Sequence, residues 1–326
     1  MKFDYPKICR GLFQGLSERN KEVISRRFGL ETGNRETLEA IGKSYGITRE
    51  RVRQLEVDGF QKMKPGVMKF KGLLDHFSGE LKETGGLRKE DILLNTLGEA
   101  RFQNYVFFLL TLADPYTRFS ENRDFHSLWC LNPESYRLAQ KVVDSLTGQM
   151  VKINHPVDIA NYPIAGFKIT PQALSAYLEA SKIIQKGPEG LFGLTSWPEI
   201  SPRGVKDKAY LVFKREKRPL HFSEVAKKIG EDALPQTVHN ELIKDPRFVL
   251  VGRGLYALKE WGYEPGVVKD IIVKTLKETK EPLSREEIIA AVLKQRFVKE
   301  NTISLNLSDK QLFLRTPEGK YTIRQI

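Results

Sequence analysis

Four side chains with hydrogen-bonding ends stand close together in the segment GITRERVRQLE, residues 46–56: Arg49, Glu50, Arg53 and Gln54. At the helical step of about 100° per residue they share one arc, and Val52 and Leu55 lie on the opposite arc. Arginine forks and the polar ends of Glu and Gln match base edges and phosphates. The same pattern is typical of a solvated surface helix, so neighbouring segments must decide between the two interpretations.

The preceding residues predict a second helix and a tight turn. In TLEAIGKSYGITRERVRQLEVDGFQKMK, Thr37 can cap the first helix, and Thr48 can cap the second. Leu38 and Ile41 are the inward positions of the first helix, and Gly46 marks a sharp corner between the two helices. Two short helices joined in this way form a helix-turn-helix, whose second helix enters the major groove of DNA. The charged arc would then face DNA.

A further helix is predicted upstream, in LSERNKEVISRRFGL. Ser17 would cap it, its apolar side would hold Val23, Ile24 and Phe28, and Gly29 would lie near its end. Residues of about 14–64, through this helix, both later helices and the trailing KMK, resemble region four of primary-type bacterial sigma factors. The resemblance is specific, because it runs through all three helices and the intervening turn in order.

This resemblance implies roles for individual residues. The predicted base-reading residues are Arg49, Glu50, Arg53 and Gln54, with Arg53 at a base or backbone contact. The predicted DNA-backbone contacts are Lys43, Thr48, Arg51 and Lys62. The predicted surface for docking on RNA polymerase is formed by Val23, Ile24, Arg27 and Phe28. Because only about fifteen residues precede the segment, we expect a regulator rather than a complete initiation factor.

An aromatic position recurs along the rest of the chain. The four residues, which are 63, 64 and 65 positions apart, are Trp129, Phe192, Tyr256 and Tyr321. An aliphatic residue stands two positions after each, and a glycine turn usually precedes. This pattern predicts the returning strand of a small β-hairpin.

The last two repeats agree over most of their length. Each predicts a helix, a Pro-Leu link, a helix capped by Ser223 or Ser284, a third helix and an extended pair. Three helices and a hairpin predict a winged helix. Residues 218–262, RPLHFSEVAKKIGEDALPQTVHNELIKDPRFVLVGRGLYALKEWG, resemble the HARE-HTH family, which includes the folded domain of the RNA polymerase delta subunit. The resemblance implies a role in transcription or DNA binding and leaves the partner, DNA or protein, open.

The predicted fold class is mainly α with small β-wings, a helix-turn-helix followed by tandem winged-helix domains. The predicted divisions are a helix-turn-helix domain plus linker at 1–84, a degenerate winged helix at 85–135, a winged-helix-like domain at 136–203, a HARE-HTH winged helix at 204–263 and a second at 264–326. Segments 65–85 and 198–205, rich in Gly, Pro and Lys, are the predicted linkers.

Two basic features allow more than one interpretation. GRG at 252–254 predicts a hairpin turn, and Arg253 at its tip is a candidate wing contact with DNA. Residues 203–218 carry seven basic and two acidic side chains. They could follow a phosphate backbone, or form a helix with its apolar side inward and its lysines in water.

Composition limits the function classes. With 53 Lys and Arg against 41 Asp and Glu, the net charge is +12, which favours a polyanionic partner. The chain lacks an apolar run of about 18 residues, and Cys9 and Cys130 have no pairing or metal-ligand spacing. We therefore expect a cytoplasmic, nucleoid-associated protein with no membrane, metal, cofactor or small-molecule ligand. We found no catalytic motif, so we expect no enzyme activity.

The sequence thus favours a DNA-binding transcription regulator that acts with bacterial RNA polymerase, with double-stranded, promoter-like DNA as partner. The alternative is a polymerase-binding modulator, delta-like or competing with sigma, whose modules dock protein. A DNA-processing enzyme subunit is a third interpretation, based on the family association alone.

Overall fold

The computed structural model describes residues 3–159, 166–231 and 233–324. The chain divides into two compact units, Met1–Ser196 and Trp197–Ile326. Helices predominate in both, and the strands form small antiparallel sheets. None of the described helices is long and apolar enough to cross a membrane.

The first unit begins with four helices. They are α1 (Tyr5–Leu12), α2 (Glu18–Phe28), α3 (Leu38–Tyr45) and α4 (Arg49–Val67). Ser17 caps α2 by accepting from the Asn20 amide, and Gly29 ends it in the left-handed conformation. The predicted boundaries of this helix are therefore confirmed.

A winged-helix order of elements follows directly. It consists of α5 (Lys71–Glu83), β1 (Leu87–Lys89), α6 (Glu90–Leu112), β2 (Thr117–Phe119) and β3 (Leu128–Cys130). The strand order is β1-β3-β2. Glu99 has a φ of 48° and a ψ of −167°, so α6 is two helices joined across a kink. This segment therefore has three helices and a three-stranded sheet.

The predicted linker at 65–85 is wrong. Most of it is α5, which buries Leu73, Leu74, Phe77 and Leu81. These residues recur at the three- to four-residue helical spacing, which predicts an amphipathic helix. The linker prediction relied on the Gly and Lys content of the segment and did not use this spacing. The second predicted linker, 198–205, lies in turns until α9 begins at Gly204.

The rest of the first unit repeats this order in part. It contains α7 (Pro133–Ile153), α8 (Pro171–Ala180), β4 (Ile184–Lys186) and β5 (Phe192–Leu194). The helix predicted in ITPQALSAYLEASKII is α8, capped by Thr170, although its predicted end is strand β4. The second helix predicted for this repeat would fall largely on 160–165, which lie outside the described residues.

The second unit contains two further copies. The first is α9 (Gly204–Glu216), β6 (Leu220–His221), α10 (Phe222–Ile229), α11 (Pro235–Lys244), β7 (Phe248–Gly252) and β8 (Leu255–Leu258), followed by a short 3-10 helix, Lys259–Trp261. The second is α12 (Val268–Thr279), α13 (Arg285–Gln295), α14 (Glu300–Leu307), β9 (Phe313–Arg315) and β10 (Tyr321–Ile323). Ser284 caps α13 as predicted, whereas α10 is capped by His221 instead of Ser223.

The recurring aromatic residues occupy one position in all four hairpins. Each lies in the last strand of its hairpin and pairs with an upstream residue, which belongs to β1 or β6 in two copies and to an isolated β-bridge in the other two. The pairs are Trp129 with Arg88, Phe192 with Val157, Tyr256 with Leu220 and Tyr321 with Leu283. The predicted returning strands are confirmed, and the chain has a helix-turn-helix followed by winged-helix-like copies.

One hydrophobic core extends through the helix-turn-helix segment and the first winged helix. Its buried residues run from Tyr5 in α1 to Trp129 in β3. The Tyr5 hydroxyl donates to the Leu97 carbonyl oxygen at 2.6 Å, which joins α1 to α6. Asn104 of α6 donates to the carbonyl oxygens of Gly29 and Gly33 at 3.1 and 2.8 Å. The two segments therefore pack as one body, while the finer domain divisions stay predictions.

Candidate nucleic-acid interface

Helices α3 and α4 form the predicted helix-turn-helix. The Thr37 hydroxyl accepts from the Ala40 amide at 3.1 Å, and the Thr48 hydroxyl accepts from the Arg51 amide at 3.2 Å. Gly46 ends α3 with a φ of 63°, a left-handed conformation that favours glycine. Both caps and the corner are confirmed.

A small apolar cluster holds α4 in place. Val23, Ile41, Val52 and Leu55 are its buried members. Gly59 continues this inward face, because a Cβ built there would lie 2.5 Å from Ile24 Cδ1. The absent side chain lets α2 and α4 approach closely. Val52 and Leu55 thus have the inward positions that the sequence predicts.

The opposite face of α4 is open. Its four predicted base-reading side chains are exposed: Arg49, Glu50, Arg53 and Gln54. The Arg53 guanidinium pairs with the Glu50 carboxylate, and Arg51 Nη1 donates to Gln54 Oε1 at 3.2 Å. Hydrogen bonding to Arg53 lowers the pKa of Glu50, so Glu50 is an anion at neutral pH. The structure brings these residues together, and their contact with bases stays a prediction.

The predicted backbone contacts flank this face. Lys43, Arg51 and Lys62 are exposed, and Lys62 pairs with Asp58 at 2.8 Å. The Thr48 hydroxyl caps α4, which leaves its hydrogen free to donate. All four have the exposure that phosphate contact requires.

The predicted docking surface is wrong for three of its four residues. Val23 and Ile24 are fully buried, and Phe28 is 4% exposed. Phe28 packs against Phe108 of α6 and Phe60 of α4, at ring-centroid distances of 5.2 and 5.7 Å. The apolar side of α2 therefore faces the protein's own core.

Arg27, the fourth predicted docking residue, is partly exposed. Its Nη1 donates to the Glu36 carbonyl oxygen at 2.9 Å, and its Nε lies 3.6 Å from Glu56 Oε1. Desolvation raises the pKa of Glu56, opposed by Arg27. Arg27 therefore bridges α2 to α4. Sequence spacing does not reveal this pair, because its partners lie 29 positions apart.

The third helices of the later copies differ from α4 in charge. Helices α8 and α14 contain no Lys or Arg, and α11 contains Lys244 alone. On α14, Leu305 is 73% exposed. Basic or bidentate side chains are the usual contacts of a helix with base edges and phosphates. Helix α4 therefore carries more Lys and Arg than the third helices of the three later copies.

The predicted wing contact lies at a hairpin tip. Arg253 is exposed between β7 and β8, so the predicted hairpin turn is confirmed. The basic stretch at 203–218 contains the whole of α9, with Ala209 and Val212 buried and Lys206, Lys208 and Lys214 exposed. The stretch therefore forms a helix with its apolar side inward and its lysines in water, as one of the two interpretations predicts. Phosphate contact by these lysines stays a prediction.

The described residues contain no group of three or more His, Cys, Asp or Glu side chains placed to hold a metal ion. Both cysteines are buried as free thiols, and burial raises the pKa of each to about 12. They are therefore protonated at neutral pH.

Comparison with known proteins places the helix-turn-helix in a family. Residues 12–64 match Sigma-70, region 4. The RNA polymerase sigma factor RpoS of Coxiella burnetii is 51% identical over 49 residues, 15% of this chain and 14% of that protein. The RNA polymerase sigma factor SigA of a Bacillus species is 47% identical over 49 residues, 15% of this chain and 13% of that protein. The RNA polymerase sigma factor sigB of Arabidopsis thaliana is 44% identical over 64 residues, 20% of this chain and 10% of that protein.

The chain therefore carries a sigma-70 region 4 module at residues 12–64, as the sequence predicts. It spans between 10% and 14% of the length of these curated relatives. The resemblance of residues 218–262 to HARE-HTH domains stays a prediction.

Proposed function

We propose that this protein is a DNA-binding regulator that acts with bacterial RNA polymerase, and that α4 reads promoter-like DNA in the major groove. The observation that carries the proposal is the exposed Arg49, Glu50, Arg53 and Gln54 face, on the second helix of a segment that matches sigma-70 region 4. Lys43, Arg51 and Lys62 would bind backbone phosphates beside it. The protein would act in the cytoplasm, on nucleoid DNA, without catalytic activity of its own.

The net charge of +12 supports a polyanionic partner. Neutralising phosphates releases counterions, so affinity would fall steeply as salt rises. Helices α8, α11 and α14 together contain one Lys or Arg, which is Lys244. Sequence-independent affinity for DNA would therefore come from other surfaces. The lysines of α9 and Arg253 are candidates.

The test is selection of bound duplexes from a random DNA library by the full chain. We compare the natural protein with the double variant Arg49→Ala/Arg53→Ala and with a matched control, Arg137→Ala/Lys141→Ala. The control removes the same charge from exposed positions of α7. Enrichment of one motif that only the α4 variant loses supports the proposal. No enrichment, or equal enrichment by all three proteins, contradicts it.

The full chain is the right material for this test. A fragment ending near residue 84 would lack α6, whose Val106, Phe108 and Leu109 are buried in the core shared with α1, α2 and α4. Loss of binding by such a fragment would report unfolding instead of the location of the DNA contact.

A second candidate function is a polymerase-binding modulator. The observation that favours it is the exposed surface of α14, which is free of basic residues and carries an exposed Leu305. Such a surface suits a protein partner better than a phosphate backbone. Retention of core polymerase after nuclease treatment, lost in Leu305→Asp and kept in Arg253→Ala, would support it. Failure to retain polymerase at low salt would exclude it.

A further inference from the structure

A cleft with three arginines lies where the region 4 module meets the first winged helix. Its volume is about 470 Å³. The polar and aromatic side chains that line it are Arg27, Arg35, Arg118, Phe107, Tyr116 and Trp129. They come from α2, the segment before α3, β2, α6, the segment after α6, and β3. The cleft is a product of the fold, since these residues are distant in sequence.

Two of the three arginines have carboxylate partners. Arg27 lies 3.6 Å from Glu56, and Arg118 Nη2 donates to Glu90 Oε1 at 2.8 Å. Among the described residues Arg35 makes no ion pair, and its Nε donates to Asn104 Oδ1 at 2.8 Å. Three guanidinium groups therefore face two carboxylates, which leaves one positive charge uncompensated.

Stacking holds the unpaired guanidinium in place. Arg35 Cζ lies 3.8 Å from the centre of the Phe107 ring, and Arg118 Cζ lies 5.5 Å from the same ring. A guanidinium stacked on a ring donates hydrogen bonds in its own plane, so the terminal amino groups of Arg35 stay available to a ligand. Holding the group in advance lowers the entropy cost of binding.

The three arginines also repel one another. Desolvation lowers the pKa of Arg35, Arg118 and Arg27 lower it further, and Glu90 opposes them. An anion in the cleft would remove this repulsion.

We propose that this cleft binds a small phosphate compound, a nucleotide or a diphosphate, with the phosphate group on Arg35 between Arg27 and Arg118. Arginine is suited to phosphate because its fork donates two parallel hydrogen bonds. The volume falls within the range of about 300–1,000 Å³ typical of small-molecule sites. The cleft reaches Phe28 and Trp129, which are 4% and 2% exposed. A pocket of this volume suits a small ligand better than the backbone of a duplex.

The location connects the cleft to α4. Arg27 pairs with Glu56, which lies one helical turn beyond Arg53. A phosphate that binds Arg27 would compete with Glu56. The site itself does not depend on the proposed DNA binding.

The test is isothermal titration of the full chain, without DNA, using AMP, pyrophosphate and inorganic phosphate as probes. Arg35→Gln removes the uncompensated charge. The matched control is Arg101→Gln, because Arg101 also stacks on a ring, that of Phe102 at 5.2 Å, outside this cleft. Equal melting temperatures of the variants establish that both are folded.

We expect saturable binding of AMP or pyrophosphate at one site per chain. Arg35→Gln should weaken it at least about tenfold, the effect of losing one charge-assisted hydrogen bond, and Arg101→Gln should leave it unchanged. No saturable binding of any probe up to about 10 mM, which is roughly ten times the dissociation constant of a weak, millimolar site, would overturn the proposal. Equal losses in the two variants would do the same.

A last arm separates a free phosphate from the phosphates of DNA. A 20-base-pair duplex is titrated into the protein loaded with AMP. Retention of AMP supports a small-ligand site. Displacement of AMP by the duplex, together with a loss of duplex affinity in Arg35→Gln as large as its loss of AMP affinity, would mean that the cleft binds DNA phosphates. That result would overturn the proposal.

Discussion

Arg53 lies one helical turn beyond Glu50 on the open face of α4, and its guanidinium donates to both oxygens of the Glu50 carboxylate. The Nε–Oε2 and Nη2–Oε1 distances are 2.9 and 2.8 Å. The pair lies in solvent, so it contributes little to folding. It does restrict the rotamers of both side chains, which would lower the entropy cost of the bidentate contact with DNA that we propose.

We predict that Arg53→Ala weakens binding to the selected DNA motif by roughly tenfold or more, the size of one bidentate base contact. Binding to random DNA should fall much less, because only phosphate attraction is lost there. Fluorescence anisotropy with both duplexes, at one fixed salt concentration, measures the two affinities.

Lys62→Ala is the control for this prediction. Lys62 is exposed on the same helix and is predicted to contact phosphate, so its loss should weaken both duplexes alike. If Arg53→Ala also weakens them equally, Arg53 contacts phosphate alone and the base-reading role is wrong.

The helix-turn-helix was predictable because its signals are local. Two threonine caps, a glycine corner and the inward Val52 and Leu55 lie within 19 residues, from Thr37 to Leu55. The recurring aromatic residues likewise predicted the last strand of each hairpin, because each copy uses an aromatic residue at the same cross-strand position.

What surrounds the site was not predictable, because it depends on contacts distant in sequence. The sigma-factor resemblance implies that Phe28 docks on RNA polymerase, yet α6 covers Phe28 through Phe108, 80 positions later. The pattern shows that Phe28 lies on an apolar face and cannot show what packs there. The same holds for Arg35, Phe107 and Arg118, which meet only in the folded chain.

The turn between α3 and α4 depends on Gly42. A Cβ built there would lie 2.7 Å from the Ile47 carbonyl oxygen and 3.4 Å from the Arg49 amide nitrogen. Both contacts are with backbone, so a methyl group would push the start of α4 away from α3. We predict that Gly42→Ala lowers the free energy of unfolding by about 1–3 kcal/mol, as overpacking does.

Gly79→Ala is the matched substitution. Gly79 lies inside α5, and a Cβ there would meet nothing within 4 Å. Alanine should raise the free energy of unfolding by about 0.5–1 kcal/mol, through its helix propensity. Urea unfolding followed by circular dichroism measures both variants. A neutral Gly42→Ala would show that the turn can widen without cost.

Glu56 should make the folded protein less stable as pH rises, the opposite of most carboxyl groups. Desolvation raises its pKa, so folding disfavours the ionised form, and Arg27 offsets only part of this cost. The stabilising contribution of the neutral group is present below the unfolded-state pKa and is lost as pH rises through the folded-state pKa. Glu56→Gln should therefore be more stable than the natural protein at pH 7, by up to about 1 kcal/mol, and equal to it near pH 4.

Denaturant unfolding across this pH range measures the difference. Glu50→Gln is the opposite-sign control, because hydrogen bonding to Arg53 lowers the pKa of Glu50. Its stabilising contribution is present above the unfolded-state pKa and is lost as pH falls through the folded-state pKa; because the pair is exposed, the variant should lose only a little stability at pH 7. A Glu56→Gln variant that is less stable at pH 7 would mean that the pairing with Arg27 outweighs desolvation.

Arg296 is buried and anchors the segment that precedes α12, at the start of the last winged-helix copy. Its side chain is 3% exposed, and its Nη2 donates to the carbonyl oxygens of Glu264 and Gly266 at 2.6 and 2.9 Å. Its Nη1 donates to the Gln295 carbonyl oxygen at 2.7 Å. Desolvation lowers its pKa, while Asp270 and Glu264 raise it. The carbonyl oxygens supply the hydrogen bonds that a buried guanidinium requires.

We predict that Arg296→Met lowers the free energy of unfolding by about 2 kcal/mol, because three carbonyl oxygens lose a charged donor while the apolar stem is kept. Arg285→Met is the control, since Arg285 is exposed and donates to the Ser304 hydroxyl, and it should change stability by less than about 0.5 kcal/mol. Hydrogen exchange of the Glu264–Gly266 segment would show faster opening in Arg296→Met alone. Equal exchange in both variants would mean that other contacts, such as the backbone bridge between Phe297 and Gly252, suffice to hold this segment.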